Sequence, residues 1–216
     1  APAGGGVWKT IDGGTSWTPL TDTQTTLSMG ALAIAPSNAL VIYAGTGEAN
    51  NSADSNFGRG ILVSTDGGVN WTMTTGPSGI FNTRRLATAQ ISVDPTDANT
   101  AYAAMADFPV NGLCCSNTGI WKTTNGGATW TNMTASAVPP RDSTNPWSAV
   151  AIDPSNHLNV YGALGVSGGL AGDFAVVVGV VLPVRANRRV VVDEVRERHV
   201  PRASVELGVR HEQLRG

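Results

Sequence analysis

One eight-residue pattern occurs three times: Thr10-Ile11-Asp12-Gly13-Gly14-Thr15-Ser16-Trp17, Ser64-Thr65-Asp66-Gly67-Gly68-Val69-Asn70-Trp71, and Thr123-Thr124-Asn125-Gly126-Gly127-Ala128-Thr129-Trp130. Each copy reads Ser/Thr, any residue, Asp/Asn, Gly, Gly, two variable residues, Trp. Each follows a short apolar run led by a glycine, at Gly6 to Lys9, Gly60 to Val63 and Gly119 to Lys122. Asp-Gly or Asn-Gly between strand-like runs is the strongest short-range hairpin signal, because both residues tolerate positive φ and the Asx oxygen accepts hydrogen bonds from the turn. The tryptophan is placed to fold back over that turn and cover it.

A second motif lies between these boxes and sets the period. Pro36, Pro95 and Pro154 recur in Ala-Pro-Ser-Asn and Asp-Pro-Thr/Ser-Asp/Asn turns, and each is followed by Tyr43, Tyr102 or Tyr161 at the same offset, 59 residues from copy to copy. A constant period of this size marks a repeat architecture. One period holds four short strand candidates and no helical one. In the middle copy they are roughly 89 to 93, 100 to 105, 119 to 123 and 130 to 133. Four antiparallel strands per repeat make a β-propeller blade. The fold class is therefore all-β: an incomplete β-propeller arc of about three four-stranded blades over 1–165, whose end strands need further blades or a partner chain to cover them.

The Ser/Thr-x-Asp-x-Gly-x-x-Trp box resembles the Asp box, or BNR repeat, of sialidases, xyloglucanase-like glycoside hydrolases, the sortilin and VPS10 propellers and a photosystem II assembly factor. The resemblance spans residues 4 to about 165. It implies that Asp12, Trp17, Asp66, Trp71, Asn125 and Trp130 are structural hairpin residues, and it does not choose among functions. An early Arg-Ile-Pro segment of the sialidase kind is missing, and Lys9-Thr10-Ile11-Asp12-Gly13-Gly14 departs from the Arg-Thr-Asp-Val-Gly-Gly-like segment of xyloglucanases.

From about Val166 the character changes. Residues 166–216 contain 14 Val and 8 Arg, with no Thr, Trp, Tyr, Ile or Lys, and the next box does not appear. A genuine extension and an out-of-frame translation of a GC-rich gene compete, and the loss of the repeat in mid-blade favours the second. The segment is expected to be poorly ordered or loosely packed.

Strand alternation sorts the connections. Boxes and proline turns fall on one side, and the long loops 45–60, 73–88, 106–119 and 134–147 on the other, where recognition is expected. Ligand-binding candidates there are Glu48, Asn50, Asn51, Asp54, Arg84, Arg85 and Trp147, with Phe57 or Phe81 as further flat apolar contacts. Carboxylates available for glycoside hydrolysis, which needs a pair about 5 to 10 Å apart, are Glu48, Asp54, Asp107 and Asp142. The favoured function is a non-catalytic extracellular or cell-surface propeller that recognises a glycan or protein; the alternative is a xyloglucanase- or sialidase-like hydrolase with part of its catalytic set in other blades. Residues 1–165 carry 6 Lys/Arg against 10 Asp/Glu, which gives no basic surface for nucleic acid. The run 175–184 is too short to span a bilayer. The adjacent Cys114 and Cys115 lack ligand partners at metal spacing, so neither metal nor cofactor is expected.

Overall fold

The structure, a computed structural model, describes residues 4–49, 55–83, 86–107, 117–134, 147–164 and 180–181. Among the described residues, thirteen short strands form four antiparallel sheets. The first pairs β1 (Trp8–Lys9) with β2 (Thr18–Pro19). The second runs in order through β3 (Met29–Ile34), β4 (Ile42–Thr46), β5 (Ile61–Ser64) and β6 (Thr72–Thr74). The third runs through β7 (Leu86–Val93), β8 (Ala101–Asp107), β9 (Gly119–Thr123) and β10 (Thr131–Asn132). The fourth holds β11 (Trp147–Ile152), β12 (Val160–Leu164) and β13 (Val180–Val181). These are the blades of an incomplete β-propeller arc, with strand positions as the period implies.

Alternation along the strands decides which neighbour each side chain meets. On β4, Tyr43 faces the third sheet in a cluster with Val63, Ile91, Trp121 and Trp130, while Ala44 faces back toward Val7 and Leu62. On β8, Tyr102 faces forward to Val150 and Val160, while Ala101, Ala103 and Met105 face back. The core is thus a series of layers between blades. The second, third and fourth sheets each have a bulge at the same repeat position, between Met29 and Ala31, Thr88 and Gln90, and Trp147 and Ala149. The extra residue in the first is Gly30, where a Cβ would collide with the carbonyl oxygens of Gly47 and Thr88; the bulge brings neighbouring backbones too close for any side chain.

The boxes share one hydrogen-bond scheme. The second glycine's N–H donates to the leading hydroxyl, from Gly14 to Thr10 Oγ1 at 2.8 Å, Gly68 to Ser64 Oγ at 2.9 Å and Gly127 to Thr123 Oγ1 at 3.0 Å. The Asx oxygen accepts from the N–H four residues on, Ser16, Asn70 or Thr129, at 2.9 Å in every copy. Both box glycines have positive φ throughout. The donated bonds, those from Asn70 and Ser64 foremost, hold the exposed Asp66 carboxyl down at about 2, and those from Ser155 do the same for Asp153; Asp12 is also lowered, chiefly by Ser16. A carboxyl lowered by folding stabilises above its unfolded pKa near 4, and that contribution is lost as pH falls through about 2. Asn125 makes the same contacts without a charge, its Oδ1 accepting from Thr129 N–H and its Nδ2 donating to Thr129 Oγ1 at 2.8 Å. Asp66→Asn, with Asn70 flipping its amide, is therefore expected to leave stability at pH 7 close to that of the parent and to flatten the acid limb between pH 4 and 2. Unfolding melts across that range check both.

On the box side, turns are tied to one another within a blade, Gly67 N–H donating to Leu40 C=O and Gly126 N–H to Asn99 C=O. Neighbouring blades are tied there too, Tyr43 Oη donating to Ala98 C=O at 2.8 Å. His157, which reads from sequence as a solvated turn residue, instead approaches Asp94 Oδ1 at 3.2 Å and Thr96 Oγ1 at 3.3 Å across a blade boundary. Burial pulls the Asp94 pKa upward, but hydrogen bonds from Thr96 and the charge of His157 outweigh it and hold the carboxyl low.

Two further features depart from the sequence reading. Loop 73–88 contains a 3-10 turn, Pro77–Gly79, running into the one-turn helix α1 (Ile80–Thr83), too short to leave a helical period. In the tail, Val180–Val181 pairs with β12, Tyr161 opposite Val181, as Tyr43 lies opposite Val63 and Tyr102 opposite Lys122. The period therefore runs one strand further than the box does. The rest of 166–216, and with it the boundary at 165, lies outside the described residues.

Candidate functional site

The side opposite the boxes carries a cavity of about 490 Å³. Four stretches wall it: Gly4 before β1, Thr25 to Ser28 before β3, Asn56 to Arg59 before β5, and Asn82 on α1. Local hydrogen bonding explains how they are held. Thr46, buried at the end of β4, accepts from Arg59 N–H at 2.7 Å and Gly60 N–H at 3.0 Å, and its hydroxyl donates to Gly60 C=O at 2.6 Å. Gly58 N–H donates to Leu86 C=O at 2.9 Å, which fastens the loop to the next blade. Arg59 Nη1 reaches across to Asn82 Oδ1 at 3.4 Å.

Behind this wall sits Glu48, 7% exposed. Its Oε1 accepts from Ser28 Oγ at 3.2 Å and Asn56 Nδ2 at 3.3 Å, and its N–H donates to Asn56 C=O at 2.9 Å. Two of its partners line the cavity, so the carboxylate joins two walls that are adjacent in space and far apart in sequence. Hydroxyls, amides, a guanidinium, Leu27 and the half-buried Phe57 ring form the lining, with no carboxylate among the described lining residues. Such a surface can bind a hydroxyl-rich ligand by hydrogen bonds and apolar contacts. By itself it does not supply an acid and base pair.

Of the sequence candidates, Glu48 lies at this site. Asn50, Asn51, Asp54, Arg84, Arg85 and Asp142 lie outside the described residues, as do Cys114 and Cys115. Asp107 ends β8 opposite Leu86, and its side chain is likewise outside them. Trp147 requires a correction. At 3% exposed it belongs to the core with Tyr102, Ile120, Val150 and Val160, its ring filling the space that Gly162 leaves empty. Phe81, fully buried against Trp121, is no ligand platform either. Arg59, Asn82, Asn56 and Ser28 were missed. Arg59 stands at the end of a loop that had been singled out, directly before the glycine that opens β5, and only that position signalled it. The described residues hold no His, Cys, Asp and Glu grouping fit for a metal ion, and no helix among them is long and apolar enough to cross a membrane.

No protein-family model matches the chain. It is similar to a xyloglucanase of Paenibacillus sp., 31% identical over 138 residues, which cover 61% of this chain and 12% of that protein. It is also similar to a xyloglucanase of Hypocrea jecorina (strain QM6a), 28% identical over 139 residues, 61% of this chain and 15% of the relative. Among solved structures, an ancestral GH74 enzyme superposes with a TM-score of 0.54 at 25% identity, over 76% of this chain and 20% of its own. The chain spans no more than about a fifth of the length of any of the three, and what it shares with them is a stretch of β-propeller.

Proposed function

We propose that this arc forms part of the substrate-binding face of a secreted glycoside hydrolase of the GH74 type, built on Asp-box blades and gripping a xyloglucan-like polysaccharide. The observation that carries the proposal is the 31% identity over 138 residues with the Paenibacillus xyloglucanase. The cavity agrees with it: a neutral, hydroxyl-rich polymer suits a lining of Thr, Ser and Asn with one Arg, one Leu and one Phe. This favours the hydrolase over the non-catalytic binder preferred from sequence alone. The binder keeps one point in its favour, the missing carboxylate in the described lining. On this proposal Arg59 and Asn82 hydrogen-bond sugar hydroxyls, Phe57 meets a sugar face, and Glu48 holds the walls in place.

Electrophoresis of the chain through gels containing xyloglucan, with mannan as control, tests it. Retardation by xyloglucan alone is expected, and Arg59→Ala should weaken it about tenfold, as for loss of a charged hydrogen bond. Unretarded migration, or equal retardation in both gels, would sink the proposal. Release of new reducing ends that ceases in Glu48→Gln would move Glu48 from the supporting frame to the chemistry.

A further inference from the structure

Three copies of one hairpin allow the chemistry of its third residue to be compared within a single chain. The first two boxes place Asp12 and Asp66 there and the third places Asn125, each directly before a glycine. Asparagine is among the thermally labile side chains, and it is most labile before glycine, where no Cβ screens the following backbone nitrogen. That nitrogen attacks the carboxamide carbon, the new N–C bond closes a succinimide ring, and the side-chain amine leaves as ammonia with the proton of the attacking N–H. Water then opens the ring at one carbonyl or the other, giving aspartate or isoaspartate. The two box aspartates resist the same attack. The Asp66 carboxyl is held down at about 2, chiefly by the bonds from Asn70, and Asp12 is lowered too, chiefly by Ser16; an ionised carboxylate is a poor electrophile.

In the folded chain each group this reaction needs is engaged. Gly126 N–H, the nucleophile, donates to Asn99 C=O at 3.0 Å. Asn125 Oδ1 accepts from Thr129 N–H at 2.9 Å and from Thr123 Oγ1 at 3.0 Å, and Nδ2, the leaving group, donates to Thr129 Oγ1 at 2.8 Å. Asn125 is itself exposed, so burial is not what protects it. The hold extends to the neighbouring sheet. Asn99 follows Ala98, whose carbonyl accepts from Tyr43 Oη of the second sheet at 2.8 Å. A Cβ on Gly127 would stand 2.8 Å from Val63 Cγ2 and 3.6 Å from the Tyr43 ring, so the third box is seated directly on that sheet.

We infer that Asn125 is a site of spontaneous deamidation whose rate is set by opening of the joint between the second and third sheets. With the joint closed, the Gly126 nitrogen keeps its proton and the carboxamide is held on Thr129. When the third box lifts from Tyr43 and Val63, those bonds are released and cyclisation proceeds. The two products differ in consequence. Aspartate restores the residue that the first two boxes carry, with the same acceptor for Thr129 N–H. Isoaspartate adds a methylene to the backbone inside a ring of bonds that closes between Thr123 and Thr129, so the box cannot re-form around Trp130 and a joint that has opened stays marked.

Incubation of the whole chain in mildly alkaline buffer, followed by tryptic digestion and mass spectrometry, tests the inference. Peptide 123–141, bounded by Lys122 and Arg141, reports Asn125 apart from Asn111, the chain's other asparagine before a glycine. Conversion in the folded chain is expected to be at least ~10-fold slower than in urea, because only the open fraction reacts. Tyr43→Phe, which removes the tie to Ala98 and keeps the ring, should raise the folded-state rate several-fold and leave the rate in urea unchanged. Tyr102→Phe, the equivalent change one blade further on, should alter neither. Asn125→Asp should abolish the mass increase in this peptide, which also contains Asn132. Equal rates in buffer and urea overturn the inference. So does a folded-state rate that Tyr43→Phe leaves unchanged or that Tyr102→Phe raises as much, and so does a mass increase that persists in Asn125→Asp.

Discussion

Trp130→Ala is expected to lower the unfolding free energy by about 3 to 5 kcal/mol, as loss of a fully buried large aromatic does. The same change in the other boxes should cost less: within about 1 kcal/mol at Trp17, and an intermediate amount at Trp71. The motif is the same in all three, so the turn is not what sets the cost. Trp130 lies in the layer between the second and third sheets, 6.3 Å from the Phe81 ring and among Tyr43, Val63 and Trp121. Trp17 has no such layer, and 56% of it faces solvent. Indole hydrogen bonding cannot reverse the order. Trp17 and Trp71 donate Nε1–H to Gly14 and Gly68 carbonyls at 3.1 and 3.0 Å, whereas Trp130 Nε1 is buried with no acceptor among the described residues. An unmet donor costs about 1 to 3 kcal/mol, so Trp130→Phe, which removes it and keeps much of the ring, should lose far less than Trp130→Ala. Urea titration of the four variants measures the series. Equal losses at Trp17 and Trp130 would show that the hairpin, not the neighbouring blade, is what the tryptophan stabilises.

Phe81→Ala should have a comparable effect, about 3 to 5 kcal/mol. The ring is fully buried, edge-on to Trp121 with centroids 5.0 Å apart and an interplanar angle of 86°. Its placement depends on the Pro77–Gly79 turn, where Phe81 N–H donates to Thr75 C=O at 2.9 Å and Gly76 at φ 71 leaves room for the ring. The next residue is Asn82, on the cavity wall and bonded to Arg59. Removing the anchor should therefore also weaken polysaccharide retention, in conditions where most of the variant is still folded. A variant that loses stability but binds as the parent does would show that the position of Asn82 is immaterial to the cleft.

Much of the architecture was legible in the residues. The Asp-Gly-Gly and Asn-Gly-Gly turns, the leading hydroxyls and the constant offset to the tyrosines located the strands and put boxes and proline turns on one side, as the Gly67–Leu40 and Gly126–Asn99 bonds show. The candidate site was legible only in part. The loop carrying Glu48 was identified, but Arg59, Asn82 and Ser28 come from three segments whose proximity has no signature along the chain. Trp147 and Phe81 looked like platforms because they stand in long loops or beside them, and a loop position says nothing about which way a ring turns. The small Gly162 on the neighbouring strand made the space that drew Trp147 inward.

What the sequence by itself determined is the unit: a hairpin whose hydrogen bonds close within about eight residues, repeated at a spacing that allows only like-sided stacking. Such bonds are short-range and do not depend on what lies beyond the turn. Only the tertiary structure decided what each copy is worth and where a ligand can sit. Burial of Trp130 against exposure of Trp17, and the meeting of Arg59 with Asn82, depend on surfaces brought together by neighbouring sheets, and contacts of that range are set by packing, which one copy of a motif does not contain.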